Sequence, residues 1–311
     1  MNRLLLVLLA LVVAGCAGNP SDSDATGGTV YRLYFLGGQS NMEGFGVSSQ
    51  LAAADGGATP RVMIFTGRMA PDNEDRGGVG VWAPLKPGHG TGFVTDGKTN
   101  QSSDRFGPEL SFGKRLAERL PTENIAIIKY TRGSSALAAG ITGFDSWSPD
   151  DPAGKRRNQY DNALTAIREA LSVRDIDGDG VRDRLVPAGI IWMQGEADAY
   201  NSPWAAADYE ANLRRLMDLL RAALRTDDLP VVIGRIVDAR TSSGTRMMKY
   251  ADVVQAAQFE YTRQDSCAAL VSITKDFGFL PDGWHYRSQD YVALGRAFAD
   301  EVLALAERCA R

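Results

Sequence analysis

The sequence predicts an α/β fold in which a mostly parallel sheet carries helices on both faces. Apolar runs of strand length alternate with segments of helical periodicity, which is the order typical of a parallel sheet. Several runs are nearly continuous rather than alternating, as expected of strands buried on both faces. The predicted strands are residues 30–36, 62–65, 125–130, 186–193, 231–237 and 268–273.

Two segments between and after these runs have the spacing of amphipathic helices. In the first, one face is formed by Tyr209, Leu213, Leu216, Leu220 and Leu224. The second is predicted to begin with Ser288 as its N-cap. Its apolar stripe consists of Tyr291, Leu294, Phe298, Val302 and Leu305. Residues 72–104 show little periodicity, and a loop of this length is expected to build a functional rim or lid.

The composition is that of one globular domain. The 311 residues are 44% hydrophobic and 23% charged, which excludes a disordered chain, a collagen-like repeat and a coiled coil. The formal net charge is −4, and lysine and arginine form no long run. A nucleic-acid partner is therefore not expected, because such proteins need a basic face for phosphates.

The first fifteen residues are predicted to be a bacterial lipoprotein signal peptide. A basic start precedes an unbroken apolar run, residues 4–14, which is too short to cross a bilayer as a helix. The run ends in Val-Ala-Gly-Cys, which resembles a lipoprotein box, so we expect lipidation of Cys16. Residues 16–29 would form a flexible tether and residues 30–311 the folded domain. The expected location is the outer membrane, on its periplasmic or cell-surface side; an ordinary signal peptide is the alternative.

Export also changes the interpretation of the other two cysteines. Cys267 precedes the last apolar run, and Cys309 ends the last predicted helix. An oxidising compartment permits these two residues to form a disulfide that would pin the C-terminal helix to the sheet. Two buried free thiols are the alternative.

Polar motifs follow two of the strand-like runs, where open parallel sheets bind their ligands. In the first, residues 38–44 (GQSNMEG), Ser40 lies at a glycine-flanked strand-to-helix turn whose backbone N–H groups can bind an oxyanion. The second, residues 192–198 (WMQGEAD), brings the Gln194 amide and the Glu196 carboxylate to the same edge. Capping of helices is the structural alternative for both motifs.

A third motif, residues 282–285 (DGWH), precedes the last helix. The chain contains only two histidines, so a nucleophile that needs an imidazole base has few choices. Asp282 stands three residues before His285, a spacing at which one short loop orients the imidazole. His89 has no such partner and is predicted to be a solvated loop residue or a residue of the substrate rim. Taken alone, His285 also fits a surface histidine.

The order of these three motifs resembles that of the SGNH-type hydrolases. More narrowly, it resembles the sialate O-acetylesterase-like group, which includes the acetylxylan esterases of carbohydrate esterase family 6. The GQSNMEG and WMQGEAD blocks carry most of the likeness, and the motif order covers roughly residue 31 to the C-terminus. The resemblance implies a three-layer αβα sandwich of the flavodoxin-like type. It also implies catalysis without a metal or other cofactor, and removal of O-acetyl groups from carbohydrates.

The resemblance assigns a catalytic role to the residues of each motif. Ser40 would be the nucleophile, His285 the general base and Asp282 the acid that orients the imidazole. Glu196 is the alternative acid. Acetylxylan-type and sialic acid-type esters fit this pattern equally well.

An oxyanion site is implied in the same way. Its donors would be the backbone N–H groups of Ser40 and Gly133 and the side-chain amide of Gln194. Gly133 follows Arg132, at a position where relatives often have a second glycine, so this match departs from the family pattern.

Residues 175–183 (DIDGDGVRD) have the ligand spacing of an EF-hand-like calcium loop. The candidate ligands are the alternating carboxylates of Asp175, Asp177, Asp179 and Asp183. Val186 replaces the glutamate expected at position 12, and a strand follows, so dockerin-like or thrombospondin-type loops are closer comparisons. We expect a structural Ca²⁺ that holds the turn before the strand ending at Gln194. An acidic surface turn is the alternative.

Together these features predict a membrane-anchored serine esterase acting on acetylated glycans. The alternative is a catalytically inactive, calcium-dependent glycan-binding lipoprotein of the same fold. The complete set of Ser40, Asp282 and His285 argues against it. A calcium-dependent phosphoesterase would need metal ligands near the strand ends, with histidine among them. It is disfavoured because only one histidine follows a strand-like run.

Overall fold

A computed structural model describes residues 27–150, 157–238 and 244–309 of the chain. The predicted signal peptide, the lipidation site at Cys16 and most of the predicted tether lie outside the described residues. None of the described helices is both long enough and apolar enough to span a bilayer.

Thirteen strands and eight α-helices are formed by the described residues. The strands are β1 (Val30–Gly38), β2 (Gly46–Val47), β3 (Thr59–Thr66), β4 (Trp82–Leu85), β5 (Val94–Thr95), β6 (Asn100–Gln101), β7 (Arg105–Phe106), β8 (Asn124–Thr131), β9 (Ser135–Ala136), β10 (Asp145–Ser146), β11 (Arg184–Met193), β12 (Val231–Gly234) and β13 (Ala268–Val271). The helices are α1 (Ser40–Glu43), α2 (Pro108–Arg119), α3 (Gln159–Ser172), α4 (Glu196–Asn201), α5 (Pro203–Ala207), α6 (Tyr209–Ala223), α7 (Ala251–Gln264) and α8 (Ser288–Cys309).

Seven of the strands form the central sheet, in the order β13-β12-β11-β1-β8-β3-β4. Every pairing within it is parallel except that of β3 with β4. All six predicted strands are present, and the prediction of a mostly parallel sheet is confirmed. The edge strand β4 was missed because it is short and contains Pro84, a residue that sheets tolerate at an edge.

Helices cover both faces of the sheet, which confirms the three-layer αβα arrangement. Helix α2 packs against α8, while α6 packs against α3 and α7. The predicted apolar stripes of α6 and α8 are buried along their whole length. Ser288 begins α8, but its hydroxyl donates to Gln50 Oε1 and accepts from the Val47 amide, so its side chain holds a loop rather than capping the helix.

A disulfide joins Cys267, immediately before β13, to Cys309, at the end of α8, with the two Cα atoms 5.5 Å apart. The acidic loop that follows α3 leads into β11 at the amino-terminal edge of the sheet. Gln194 follows the other end of that ten-residue strand, which spans about 30 Å. The loop therefore lies at the opposite edge of the sheet from the predicted catalytic motifs.

Candidate active site

Three neighbouring strands end side by side and bring the predicted catalytic segments together. Gly38 at the end of β1 pairs with Met193 of β11 on one side and with Thr131 of β8 on the other. Gly38 has a φ of 144°, and a Cβ there would lie 2.0 Å from the Met193 carbonyl oxygen. Only glycine therefore allows the chain to turn out of β1 and place Ser40 at the sheet edge.

A cavity of about 270 Å³ opens at this edge, at the small end of the range for ligand sites. Its described lining combines residues of all three motifs with four aromatic side chains. The lining consists of Gln39, Ser40, Phe45, Gly133, Ser134, Phe144, Glu196, Ala197, Tyr200, Trp284 and His285. The residues of the 72–104 loop are not among them, so the structure does not support that loop as the rim or lid of this cavity.

The imidazole of His285 is held between an acid and an aromatic ring. Asp282 Oδ2 lies 2.9 Å from His285 Nδ1, and Asp282 Oδ1 accepts the backbone N–H groups of Trp284 and His285. Because an ionised carboxylate only accepts, Nδ1 carries the proton and Nε2 is free to act as a base. The ring stacks on Phe45 with centroids 3.5 Å apart. The short loop thus orients the imidazole as the sequence spacing suggests.

The environment of Asp282 favours its charged form. Partial burial acts to raise its pKa, but the hydrogen bonds from the His285 ring and from the Trp284 and His285 amides outweigh burial. The net result is a pKa below the usual aspartate value. The acid is therefore ionised when it faces the imidazole.

Ser40 of the GQSNMEG motif and His285 of the DGWH motif line the same cavity. Both are described residues, and no hydrogen bond joins the Ser40 hydroxyl to the imidazole in this structure. Catalytic contacts of this kind are often long in a free enzyme and tighten when substrate binds. The structure therefore brings nucleophile and base together in one cavity without pairing them.

Of the predicted oxyanion donors, Gly133 lies beside Ser40. A Cβ built on Gly133 would be 3.8 Å from the Ser40 Cβ and 3.2 Å from Glu43 Oε2, so a side chain there would crowd the cavity wall. Arg132, just before it, donates its backbone N–H to the Gly38 carbonyl and pairs with Asp145. The glycine is thus fixed next to the nucleophile.

Gln194 does not take the place expected of it. Its side chain is fully buried and is absent from the described lining of the cavity. Its Nε2 donates to the Ser135 carbonyl at 3.0 Å and to Asp198 Oδ2 at 2.7 Å, which uses both amide protons. A direct hydrogen bond from this amide to an oxyanion does not fit that arrangement. Gln194 instead supports the segment that carries Gly133.

Asp198 completes this support from beneath the same segment. Its carboxylate is fully buried and accepts the backbone N–H groups of Leu137 and Ala138 as well as the Gln194 amide. Burial raises the pKa of Asp198 to about 6, and these hydrogen bonds oppose the rise. The acids of the WMQGEAD motif therefore have different tasks, and Asp198 anchors the loop that follows β8.

Glu196 is paired with an asparagine rather than with the histidine. Asn41 Nδ2 donates to Glu196 Oε1 at 2.8 Å and to the Trp284 carbonyl at 3.1 Å, while its Oδ1 accepts from Tyr291. Burial raises the pKa of Glu196 above the usual glutamate value. Asn41 thus ties all three motifs together, and sequence reasoning missed it although it stands next to Ser40 in the most specific motif.

A buried ion pair lies behind the Ser40 turn. Lys129 Nζ lies 2.7 Å from Glu109 Oε2 and also donates to the backbone carbonyls of Glu43 and His89, at 2.8 Å each. Both charged side chains are at most 1% exposed. Lys129 therefore holds the last residue of α1 against the loop that contains His89. The signal in the sequence is a single lysine inside the apolar run of β8, where a charge is rare unless it is paired.

His89 is not the solvated or rim residue that its sequence context suggests. Its side chain is buried, its Nδ1 lies 2.8 Å from Thr66 Oγ1, and its ring stacks on Phe93. Burial, together with smaller contributions from the charges of Lys129 and Lys86, lowers the pKa of His89 to about 3. The 72–104 loop therefore packs under the Ser40 turn as support.

Comparison with protein families gives a match over most of the chain. The model of a family described as carbohydrate esterase, sialic acid-specific acetylesterase, matches residues 30–304. No curated protein matches the sequence.

Solved structures with the same fold include carbohydrate acetylesterases. A protein from Arabidopsis thaliana matches with a TM-score of 0.60 and 20% identity, over 88% of this chain and 98% of its own. A carbohydrate acetylesterase from Xanthomonas citri matches with a TM-score of 0.60 and 17% identity, over 89% of this chain and 57% of its own. NanS matches with a TM-score of 0.56 and 16% identity, over 89% of this chain and 97% of its own.

Proposed function

Because this chain belongs to the sialic acid-specific acetylesterase family of carbohydrate esterases, we propose that it removes O-acetyl groups from sugars through an acyl-enzyme formed on Ser40. The observation that carries the proposal is the Asp282–His285 pair, whose imidazole faces the same small cavity as Ser40. The pair supplies an oriented base, and the strand-end turn supplies a nucleophile within the cavity.

In the first half-reaction, Ser40 Oγ attacks the acetyl carbonyl carbon while His285 Nε2 takes the hydroxyl proton. The Asp282 carboxylate stabilises the imidazolium that forms, because it already accepts a hydrogen bond from the Nδ1–H group. His285 then gives its proton to the sugar oxygen as the ester bond breaks. In the second half-reaction, water attacks the acetyl-serine while His285 takes a proton from it. His285 then returns this proton to Ser40 Oγ as the bond from Ser40 to the acetyl carbon breaks and acetate leaves.

Charge develops on the acetyl oxygen during both attacks and must be stabilised. The backbone N–H groups of Ser40 and Gly133 are the donors we assign to this task, since both residues line the cavity next to the reacting carbon. Gln194 and Asp198 act on the same step indirectly, by fixing the segment after Gly133. A single oxyanion donor is worth about 10²–10³ in rate.

The walls of the cavity suit a sugar. Phe45, Phe144, Tyr200 and Trp284 present aromatic rings, against which the apolar C–H faces of a pyranose pack. Among the described lining residues there is no lysine or arginine, whereas Glu196 contributes a carboxyl group. We therefore favour neutral acetylated sugars over sialic acids, whose carboxylate would find no cation in this part of the wall.

Acetate release from acetylated xylan, an O-acetylated sialic acid and 4-nitrophenyl acetate tests the proposal. Wild-type protein should be compared with Ser40→Ala and with Ser134→Ala, the other serine of the cavity. We expect Ser40→Ala to fold normally and to lose hydrolysis of every ester, while Ser134→Ala keeps most of it. Retention of activity by Ser40→Ala would refute the nucleophile, and a clear preference for the sialic acid ester would refute neutral sugars as the substrate.

We further propose that the enzyme is an exported lipoprotein held to a bacterial membrane by Cys16. The support is the sequence alone: the short apolar run of residues 4–14 and the Val-Ala-Gly-Cys end of that run. Mass spectrometry of the mature N-terminal peptide should find a diacylated Cys16. A Cys16→Ser variant should move from the membrane fraction to the soluble fraction, and an unchanged distribution would rule the anchor out.

A further inference from the structure

The acidic loop between α3 and β11 has a feature that the esterase mechanism does not use. Asp175, Asp177 and Asp183 each place a carboxylate oxygen so that the three oxygens lie within 4.8 Å of one another. The loop turns at Gly178 and Gly180, which have φ values of 81° and 86°. Their backbone N–H groups donate to the Asp175 carboxylate and hold it in the turn. Three negative charges are thus concentrated at one point.

The surroundings of Asp183 indicate independently that this point can bind a ligand. Its side chain is only 9% exposed, and its Oδ2 accepts the Ile176 N–H at 2.7 Å. Its Oδ1 is buried and has no hydrogen-bond partner among the described residues. Leaving a buried carboxylate oxygen unsatisfied is costly, so such an atom requires an explanation. A bound cation satisfies it directly.

We propose that Asp175, Asp177 and Asp183 bind one Ca²⁺ ion. All three ligands are carboxylates, with no histidine or thiol in the group, and such hard oxygen ligands select Ca²⁺ or Mg²⁺ over transition metals. A surface loop that turns at two glycines suits the flexible coordination of Ca²⁺ better than the strict octahedron of Mg²⁺. Asp179, the fourth carboxylate of the sequence motif, is not part of this group, and its Oδ1 accepts the Val181 N–H.

The position of the loop determines what the ion does. Tyr31, at the start of β1, donates its hydroxyl to Asp177 Oδ2 at 2.8 Å, and Arg184 donates its N–H to the Thr29 carbonyl. The ion therefore fastens the beginning of the central strand β1 to the loop, at the amino-terminal edge of the sheet. The cavity lies at the opposite edge, so calcium should change the stability of the fold and leave the chemistry alone.

Calcium binding by the full-length protein tests the proposal without relying on activity. Chelator-treated protein should be titrated with CaCl₂ in a calorimeter, and its melting temperature should be followed as calcium rises. We expect heat of binding and a melting temperature that rises with the logarithm of the calcium concentration. The value of kcat for 4-nitrophenyl acetate should stay the same with and without chelator. MgCl₂ should give a much smaller shift.

Asp177→Asn is the informative variant, because asparagine keeps an oxygen that accepts from Tyr31 but loses the charge. Its affinity for calcium should fall by about tenfold or more. Asp227→Asn is the matched control, since it removes one exposed aspartate from a different loop and should bind calcium as the wild type does. If the wild type showed neither heat of binding nor a shift in melting temperature at about 10 mM calcium, the site would be overturned. That concentration exceeds the dissociation constants of the weakest class of protein calcium sites. Equal affinity in Asp177→Asn would overturn it too.

Discussion

Asp282 Oδ2 lies 2.9 Å from Nδ1 of His285, and the same carboxylate accepts the backbone N–H of His285. Acid and base are thus locked together within one four-residue loop. Glu196, the other candidate acid, lies in the wall of the same cavity, but its Oε1 is bound by Asn41. The two acids therefore make different contributions, which mutation can separate.

Asp282→Asn should lower kcat by about 10³–10⁴-fold, because an asparagine facing Nδ1 favours the wrong imidazole tautomer. Glu196→Gln keeps the size of the side chain and retains an oxygen for Asn41, so it should cost much less. Steady-state kinetics of both variants on 4-nitrophenyl acetate, with melting curves to verify folding, make the comparison. The reverse ranking would assign the acid to Glu196.

The role of the Gln194 amide can be tested by mutation. A direct oxyanion donor affects kcat alone, whereas a residue that supports the Gly133 segment affects both kcat and the melting temperature. Gln194→Ala should lower the melting temperature and kcat together, since it removes one of the donors to Asp198 and the hydrogen bond to the Ser135 carbonyl. A buried polar group that loses its partner costs about 1–3 kcal/mol. Gln159→Ala is the matched control, because Gln159 is also fully buried and also donates to one carbonyl and one aspartate, away from the cavity lining. It should lower only the melting temperature. A loss of kcat in Gln194→Ala at unchanged stability would restore Gln194 as a direct oxyanion donor.

The sequence could predict what local pattern determines. Near-continuous apolar runs predicted the parallel strands, because strands buried on both faces need apolar side chains on both. The Asp282–His285 pair could be predicted because its two residues are only three positions apart in one short loop. The positions of Lys129 and Gln194 depend on which segments the sheet brings together, and spacing along the chain contains no such information. The distance of the acidic loop from Gln194 likewise depends on the length of β11.

Burial of His89 predicts a specific dependence of stability on pH. Its pKa is about 3 in the folded protein and about 6.5 when unfolded, so between these values the unfolded chain binds a proton that the folded chain does not. The stability tied to neutral His89 is complete above pH 6.5 and is lost as the pH falls towards 3, by about 1.4 kcal/mol per pH unit.

Urea unfolding of wild type and His89→Gln at pH 7 and pH 5 measures this contribution. The difference in unfolding free energy between the two proteins should shrink by about 2 kcal/mol at the lower pH, because only the wild type loses the stability that neutral His89 contributes. Parallel pH dependences for wild type and His89→Gln would mean that His89 is accessible to solvent.

The Lys129–Glu109 pair predicts a large effect from a single buried charge. Lys129→Met fills similar space but leaves the Glu109 carboxylate uncompensated, which should cost about 3–5 kcal/mol of unfolding free energy. Adding Glu109→Gln removes that charge and keeps an oxygen for the Gly107 N–H, so the double variant should recover much of the loss. Lys114→Met, which removes a partly exposed lysine from the same side of the fold, should cost about 1 kcal/mol or less.

Activity separates the structural role of Lys129 from its role behind the nucleophile. In the double variant the Glu43 carbonyl still lacks the lysine that binds it, so the end of α1 is less well fixed. We expect kcat to stay low after stability has recovered, with KM changed little, because the defect lies in the placement of Ser40 and not in the sugar-binding wall. A double variant with wild-type kcat would show that Lys129 contributes to stability alone.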